Sequence, residues 1–339
     1  MTLYLSQIRD QETAISTLQR ALRSDKLHHA YLFEGPPGVG KQLTAMALSA
    51  AMNCVQSPEA CGECSHCRKI RTGNHPDVKI LQPPEGKRNI LIEGVRQAEE
   101  WIRMRPHEGK AKVLIISPAD AMTESAANAL LKTLEEPRPG NYIILVTAAA
   151  SSLLPTVRSR CQTVRFKALS SSTIAELLLA SGVSEEEAAL LVSLSCGSME
   201  TALQYRSEEL SGRIDIVAAL IEGASSRIPE QALSAAARLR DRGEAIAVLE
   251  LLLFVMEDLL NARAGVSVSN GLSLKFGDLM TKLQRGGSVE SVATHIAAIN
   301  RALVSIQRNN MNPQLAIEGM VMNMRSRTKN EYWSRIGAK

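Results

Sequence analysis

The run Gly35-Pro36-Pro37-Gly38-Val39-Gly40-Lys41 lies between an apolar segment of strand length, Ala30-Tyr31-Leu32-Phe33, and a helical pattern. That order constrains the fold more than any other feature of the chain. Glycines let successive backbone N–H groups turn inward around an anion, the following helix N-terminus adds positive potential, and the lysine reaches terminal phosphates. The run predicts a strand, a phosphate-binding loop and a helix in sequence. The competing reading is a structural glycine-rich turn that binds nothing. The next residue bears on the chemistry: a magnesium-dependent loop carries Ser or Thr there, and this chain has Gln42, whose carboxamide differs from a hydroxyl in length and geometry. The loop is built for phosphate and poorly built for magnesium, so ATP or ADP would bind weakly and without hydrolysis.

Four further short apolar runs follow: Val78 to Leu81, Val113 to Ile116, Tyr142 to Val146 and Thr163 to Phe166. Between the second and third strands Leu91, Val95, Ala98 and Ile102 make one helical face that ends at Pro106. Between the third and fourth, Ala127, Leu130, Leu131 and Leu134 make another, with Thr123 as N-cap and Pro137 as the stop. Strands alternating with helices predict a mainly parallel sheet with helices on both faces. An ATPase of this type needs an acid at the end of the third strand. Here that strand ends in Ser117-Pro118, and Asp120 reads as a loop residue ahead of the next helix.

After Phe166 the strand signals stop. Three short helical patterns (about 173 to 181, 185 to 194 and 198 to 206) predict a small helical domain, and longer helical runs continue to about 330. Turns are expected at Ser211-Gly212, Gly223, Arg240 to Gly243 and Gly286-Gly287. The division expected is 1–167, 168–207 and 208–339. Aromatic residues make up 3% of the 339, which argues against a β-sandwich, and the net charge of +4 permits nucleic-acid contact without demanding it. Lys87, Arg88, Arg96, Arg103, Arg105, Lys110 and Lys112 form a local basic excess, interleaved with Glu93, Glu99, Glu100 and Glu108; a solvated face is the simpler reading. No secretory signal is expected at Met1 to Thr13. The most apolar stretch, Ala245 to Leu260, is interrupted by Glu250, Glu257 and Asp258, so no membrane span and a cytoplasmic location are expected.

Cys54, Cys61, Cys64 and Cys67 lie within fourteen residues, the last three at successive CxxC spacings. In a reducing compartment that pattern reads as a closed tetrahedral zinc site with a structural role, inserted between the first helix and the second strand. His66 is then a spare residue of the knuckle, and Cys161 and Cys196 are expected to be buried small hydrophobes. A zinc-dependent nucleic-acid-binding module would add basic or aromatic residues around the cysteines, but only Arg68, Lys69 and Arg71 offer that signal.

The segment Asn128-Ala129-Leu130-Leu131-Lys132-Thr133-Leu134-Glu135-Glu136-Pro137, the run Ser159-Arg160-Cys161, the four-cysteine insertion and His75-Pro76-Asp77 together resemble the clamp-loader subunits of bacterial DNA polymerase III, in particular the delta-prime branch. The resemblance carries motifs over about residues 5 to 205. It implies an AAA+ domain of α/β type with a zinc-binding insertion, a small helical lid and an all-α collar that joins the motor (gamma/tau) and delta subunits. It also implies a sliding clamp and primer-template DNA as partners in the assembled complex. Related motor subunits carry Asp-Glu where this chain has Ser117-Pro118, and a sensor arginine where it has Glu200. Thr147 stands at the family's first sensor position. Arg160 matches the arginine that this family presents to a neighbour's ATP. The resemblance therefore implies a non-motor subunit with a degenerate nucleotide loop (Gly35, Gly38, Gly40, Lys41, Gln42, Thr147). An ATP-hydrolysing motor subunit of gamma/tau type is the alternative.

Overall fold

The computed structural model describes residues 4–206, 209–225, 229–265, 289–307 and 309–336. The chain divides into two compact units, Met1–Glu176 with Gly197–Thr201, and Leu177–Cys196 with Ala202–Lys339.

The first unit is built on five parallel strands, β1 (Ala30–Glu34), β2 (Val78–Leu81), β3 (Lys112–Ile116), β4 (Asn141–Thr147) and β5 (Gln162–Arg165), in the spatial order β2-β3-β4-β1-β5. All five strands expected from sequence are present, each within about one residue of its expected bounds. Every residue of β3 is buried, as expected of a parallel strand covered on both faces. The intervening helices are α1 (Glu12–Arg23), α2 (Lys41–Asn53), α3 (Ser65–Arg71), α4 (Ile92–Arg103), α5 (Glu124–Glu135) and α6 (Pro155–Arg158). On one face Leu32, Leu114, Ile116, Ile143 and Leu145 pack with Val95, Ala98 and Ile102 of α4, Leu130 and Leu134 of α5 and Val157 of α6. The alternate residues Tyr31, Phe33, Val113, Ile115 and Ile144 are also buried, on the face where α2 meets β4. Thr123 caps α5, its hydroxyl accepting the Ala126 N–H at 3.3 Å. Leu91 departs from expectation. It precedes α4 as the capping residue and is 43% exposed, so the apolar face begins at Val95.

Helices α7 (Ser171–Ala180), α8 (Glu185–Leu194) and α9 (Met199–Tyr205) match the three short patterns. Beyond them run α10 (Glu209–Ser225), α11 (Glu230–Arg238), α12 (Arg242–Arg263), α13 (Val289–Gln307) and α14 (Pro313–Ile336). The expected turns at Ser211-Gly212 and Gly223 are not turns, because α10 runs through both. A Cβ on Gly223 would collide with Ala232 of α11, so this glycine serves helix–helix approach rather than chain reversal. The turn near Arg240 is real, with Asp241 capping α12 by accepting the Glu244 N–H at 2.9 Å. The pair Gly286-Gly287 lies outside the described residues. No helix among the described residues is long and apolar enough to cross a membrane.

Candidate functional site

The loop after β1 opens into a cleft of about 440 Å³ at the C-terminal ends of β1, β3 and β4, where open parallel sheets bind ligands. Its lining includes Gly38, Gly40, Lys41, Gln42, Ser117, Thr147 and Glu200. The structure thus gathers five of the six loop and sensor residues expected from sequence into one cavity wall, with Gly35 at the foot of the loop. Gly38 (φ 65°) has no room for a side chain: a Cβ would meet Ser198 Oγ and the Glu200 N–H, and its carbonyl accepts the Met199 N–H at 3.1 Å. Gly40 (φ 93°) caps α2.

Lys41 is 6% exposed, and its Nζ turns back onto the loop, donating to Gly35 O at 2.6 Å and to Pro36 O. Burial lowers its pKa, while Glu200 and Asp120 work in the opposite direction. Gln42 Oε1 accepts from the Ser117 hydroxyl at 3.0 Å, which ties the residue after the lysine to the end of β3. Thr147, 1% exposed, donates its hydroxyl to Asp120 Oδ1 at 2.5 Å and accepts the Ala149 N–H at 3.0 Å. Asp120 therefore has a partner at the end of β4, a contact that a loop reading of the sequence does not contain. Glu200 places a carboxylate in a cavity whose backbone otherwise favours an anion.

Away from the cleft, the Sγ atoms of Cys54, Cys61, Cys64 and Cys67 lie within 4.8 Å of one another, and these four cysteines could hold a metal ion. Cys54 Sγ is 4.0 Å from Cys64 Sγ, and Cys61 Sγ is 3.9 Å from Cys67 Sγ. Backbone N–H groups already point at the sulfurs, from Gln56 and Ser57 to Cys54 at 3.4 Å and from Cys64 to Cys61 at 3.2 Å. The N–H groups of Cys64 and Glu63 pull the Cys61 thiol down to about 6, whereas burial pushes Cys67 up to about 12. Four soft sulfurs closed on themselves, three of them buried, fit a structural tetrahedral site with no open position.

His66, His75 and Glu108 form a second group of metal-ligating types. Its hydrogen bonds already engage all three side chains. His75 Nδ1 accepts the Asp77 N–H at 3.0 Å, so the proton of the neutral ring sits on Nε2, facing His66 Nδ1 at 2.9 Å. Burial lowers the His75 pKa, Glu108 works in the opposite direction, and both Glu108 oxygens are taken by Lys69 Nζ at 2.7 Å. His66 is therefore not a spare residue of the knuckle; it ties α3 to the segment leading into β2. Asp77 completes this anchor. Its fully buried carboxylate accepts the N–H groups of His107 (2.7 Å), Glu108 (2.9 Å) and Gly109 (2.8 Å), with Lys112 Nζ at 3.5 Å.

One member of the basic stretch, Lys112, is thereby removed from any ligand-facing surface, whereas Lys110 stays exposed. Lys112 is 3% exposed, paired with Asp77 and stacked 4.5 Å from the Trp101 ring centre, and Lys110 donates to Cys54 O at 3.1 Å. Cys161 is half-buried with its thiol pushed up to about 12 by burial, but Cys196 is exposed. It stands at φ 48° in the turn between α8 and α9, outside the packed helices, which corrects the expectation of burial. Arg160 lies on the exposed segment between α6 and β5.

A family model described as DNA polymerase III, delta subunit matches residues 10–170. DNA polymerase III subunit delta' of Bacillus subtilis is 30% identical over 323 residues, covering 92% of this chain and 95% of that protein. The Pseudomonas aeruginosa delta' subunit is 36% identical over 208 residues, 60% of this chain and 62% of that protein. The tau subunit of Bacillus subtilis is 35% identical over 230 residues, 64% of this chain and 40% of that protein.

Proposed function

Because this chain belongs to the delta-prime family of DNA polymerase III subunits, we propose that it is a non-motor subunit of a clamp loader, joining motor (gamma/tau) and delta subunits to place a sliding clamp on primer-template DNA in the cytoplasm. On this reading residues 1–167 form the AAA+ sheet domain, 168–207 a lid and 208–339 a collar. The cysteine cluster holds a structural zinc ion through Cys54, Cys61, Cys64 and Cys67. The ion would supply folding energy to the insertion and no chemistry.

The observation that carries the non-motor reading is the environment of Lys41. Phosphoryl transfer needs a hydroxyl beside the lysine and a carboxylate at the end of β3 to hold magnesium. Here Gln42 is bonded to Ser117 instead, and Pro118 follows. Glu200 sits where a motor would use a cation against the γ-phosphate. Lys41 and the loop glycines still offer positive charge and N–H groups, so the loop takes ATP or ADP weakly and does not hydrolyse it. Arg160 acts across the subunit boundary, its guanidinium neutralising charge that develops on a neighbour's γ-phosphate. Such fingers change rates by roughly 10³ to 10⁵ at the site they complete.

The similarity to a tau subunit keeps the motor alternative distinct and testable. The isolated chain should show no ATP turnover. A complex assembled with Arg160→Ala should lose part of its DNA- and clamp-stimulated ATPase, since other boundaries keep their own fingers. Turnover by the isolated chain that Lys41→Ala abolishes would reject the non-motor reading. Unchanged turnover in the Arg160→Ala complex would reject the finger.

A further inference from the structure

Arg160 is already engaged within its own chain. Its Nη2 forms an ion pair with Glu135 Oε1 at 2.6 Å, while its Nη1 donates to Thr156 O at 2.9 Å and to Ser159 Oγ at 3.3 Å. The two charged side chains are 36% and 49% exposed, so the pair is open to solvent. Glu135 is the last residue of α5, where the helix dipole disfavours a carboxylate, and Arg160 supplies the compensating cation.

A guanidinium engages two phosphate oxygens through its paired terminal nitrogens. In Arg160 one of these faces Glu135 and the other faces acceptors of its own segment. The fork cannot serve a phosphate until the carboxylate lets go. We propose that Glu135 is a positioning residue that parks Arg160, and that a neighbouring subunit's nucleoside triphosphate draws the finger across by exchanging its γ-phosphate for this carboxylate. The proposal rests on the reading of Arg160 as a finger. A γ-phosphate carries more negative charge than one carboxylate, so a triphosphate competes for the guanidinium. A diphosphate lacks that group and leaves Arg160 with Glu135. The exposure of the pair limits the effect to a shift of about two- to fivefold, the range open to a solvated ion pair.

The test uses complexes assembled with the wild-type chain, Glu135→Gln, Arg160→Ala and the double variant, read by DNA- and clamp-stimulated ATP turnover. Glutamine keeps the length and one acceptor oxygen but removes the competing charge. The expected result is a two- to fivefold gain for Glu135→Gln that shrinks as salt rises and is absent when Arg160 is alanine. A loss of turnover in Glu135→Gln would overturn the proposal, because the carboxylate would then be aiming the finger rather than withholding it. Equal turnover would overturn it too, leaving the pair a surface contact, as would a gain that persists without Arg160. If Arg160→Ala alone changes nothing, the finger reading fails and the parking role with it, a pattern distinct from the others. Melting temperature and metal content of each variant chain verify that the fold is intact.

Discussion

Asp77→Asn should cost the sheet unit about 3 kcal/mol, and the structure supplies that magnitude by two routes. Burial by itself would raise the Asp77 carboxyl, yet the N–H groups of Glu108, His107 and Gly109, with Lys112 beyond them, hold it at about 2 against an ordinary 3.8. At about 1.4 kcal/mol per pH unit, that difference is roughly 2.5 kcal/mol of stability at neutral pH. The second route counts partners. An amide keeps one acceptor oxygen but turns an NH₂ toward donors, and it leaves the buried Lys112 without its counterion, a loss of about 3 to 5 kcal/mol where nothing else compensates. The routes describe the same contacts and are not added. A unit of this size should melt about 6 to 12 °C lower.

The sign of the pH dependence is set by the depressed pKa: the contribution is complete above about 4 and is lost as pH falls toward 2. By pH 3 roughly half of the difference between wild type and Asp77→Asn should be gone. Trp101, beside Lys112, reports on this region in a chain carrying Trp333→Phe, and equilibrium urea unfolding at pH 7 and pH 3 supplies the comparison. A cost below about 1 kcal/mol at pH 7, or one unchanged at pH 3, would refute the account of Asp77 as a charged anchor.

Zinc should accompany the purified chain at about one equivalent, and Cys64→Ser should release it and speed amide exchange over residues 54–71; a metal-free protein prepared without chelator would count against the site. Gly38→Ala forces a side chain into a positive φ and onto Ser198 and Glu200, and should lower stability by at least about 1 kcal/mol, measured by thermal unfolding. An unchanged melting temperature would mean that the loop can move away from Glu200 freely.

Much of this molecule is written in local pattern. Strand-length apolar runs, the helical faces of α4 and α5 and the cap at Thr123 depend on neighbours within a few residues, and the cysteine cluster depends on fourteen. What sequence spacing does not carry is partnership across long separations. His75-Pro76-Asp77 stands out as a motif, but its work is done on the N–H groups of residues 107–109 and on Lys112. The same blindness made Lys112 look like a surface cation when it is buried beside Asp77. Gly223 resembles a turn because glycine is a poor helix former. The close approach of α11 overrides that propensity, and nothing short-range signals the approach.

The persistence of a glycine-rich loop beside Gln42 and Ser117 has a reason that does not depend on catalysis. Gly38 lets the segment carrying Ser198 and Glu200 lie directly on the loop, with a backbone bond from Met199 to Gly38 O. Lys41 closes the same turn from inside by capping the carbonyls of Gly35 and Pro36, two acceptors that would otherwise lack that partner. The residues that would cradle phosphate in a motor thus also hold this loop in shape. On the non-motor reading proposed above, lacking the metal ligands would remove hydrolysis without removing the packing that the glycines and the lysine provide. On the same reading the loop would keep a motor-like surface toward neighbouring subunits, and the chemistry the chain contributes would pass to Arg160 at another edge of the sheet unit, as the Arg160→Ala complex tests.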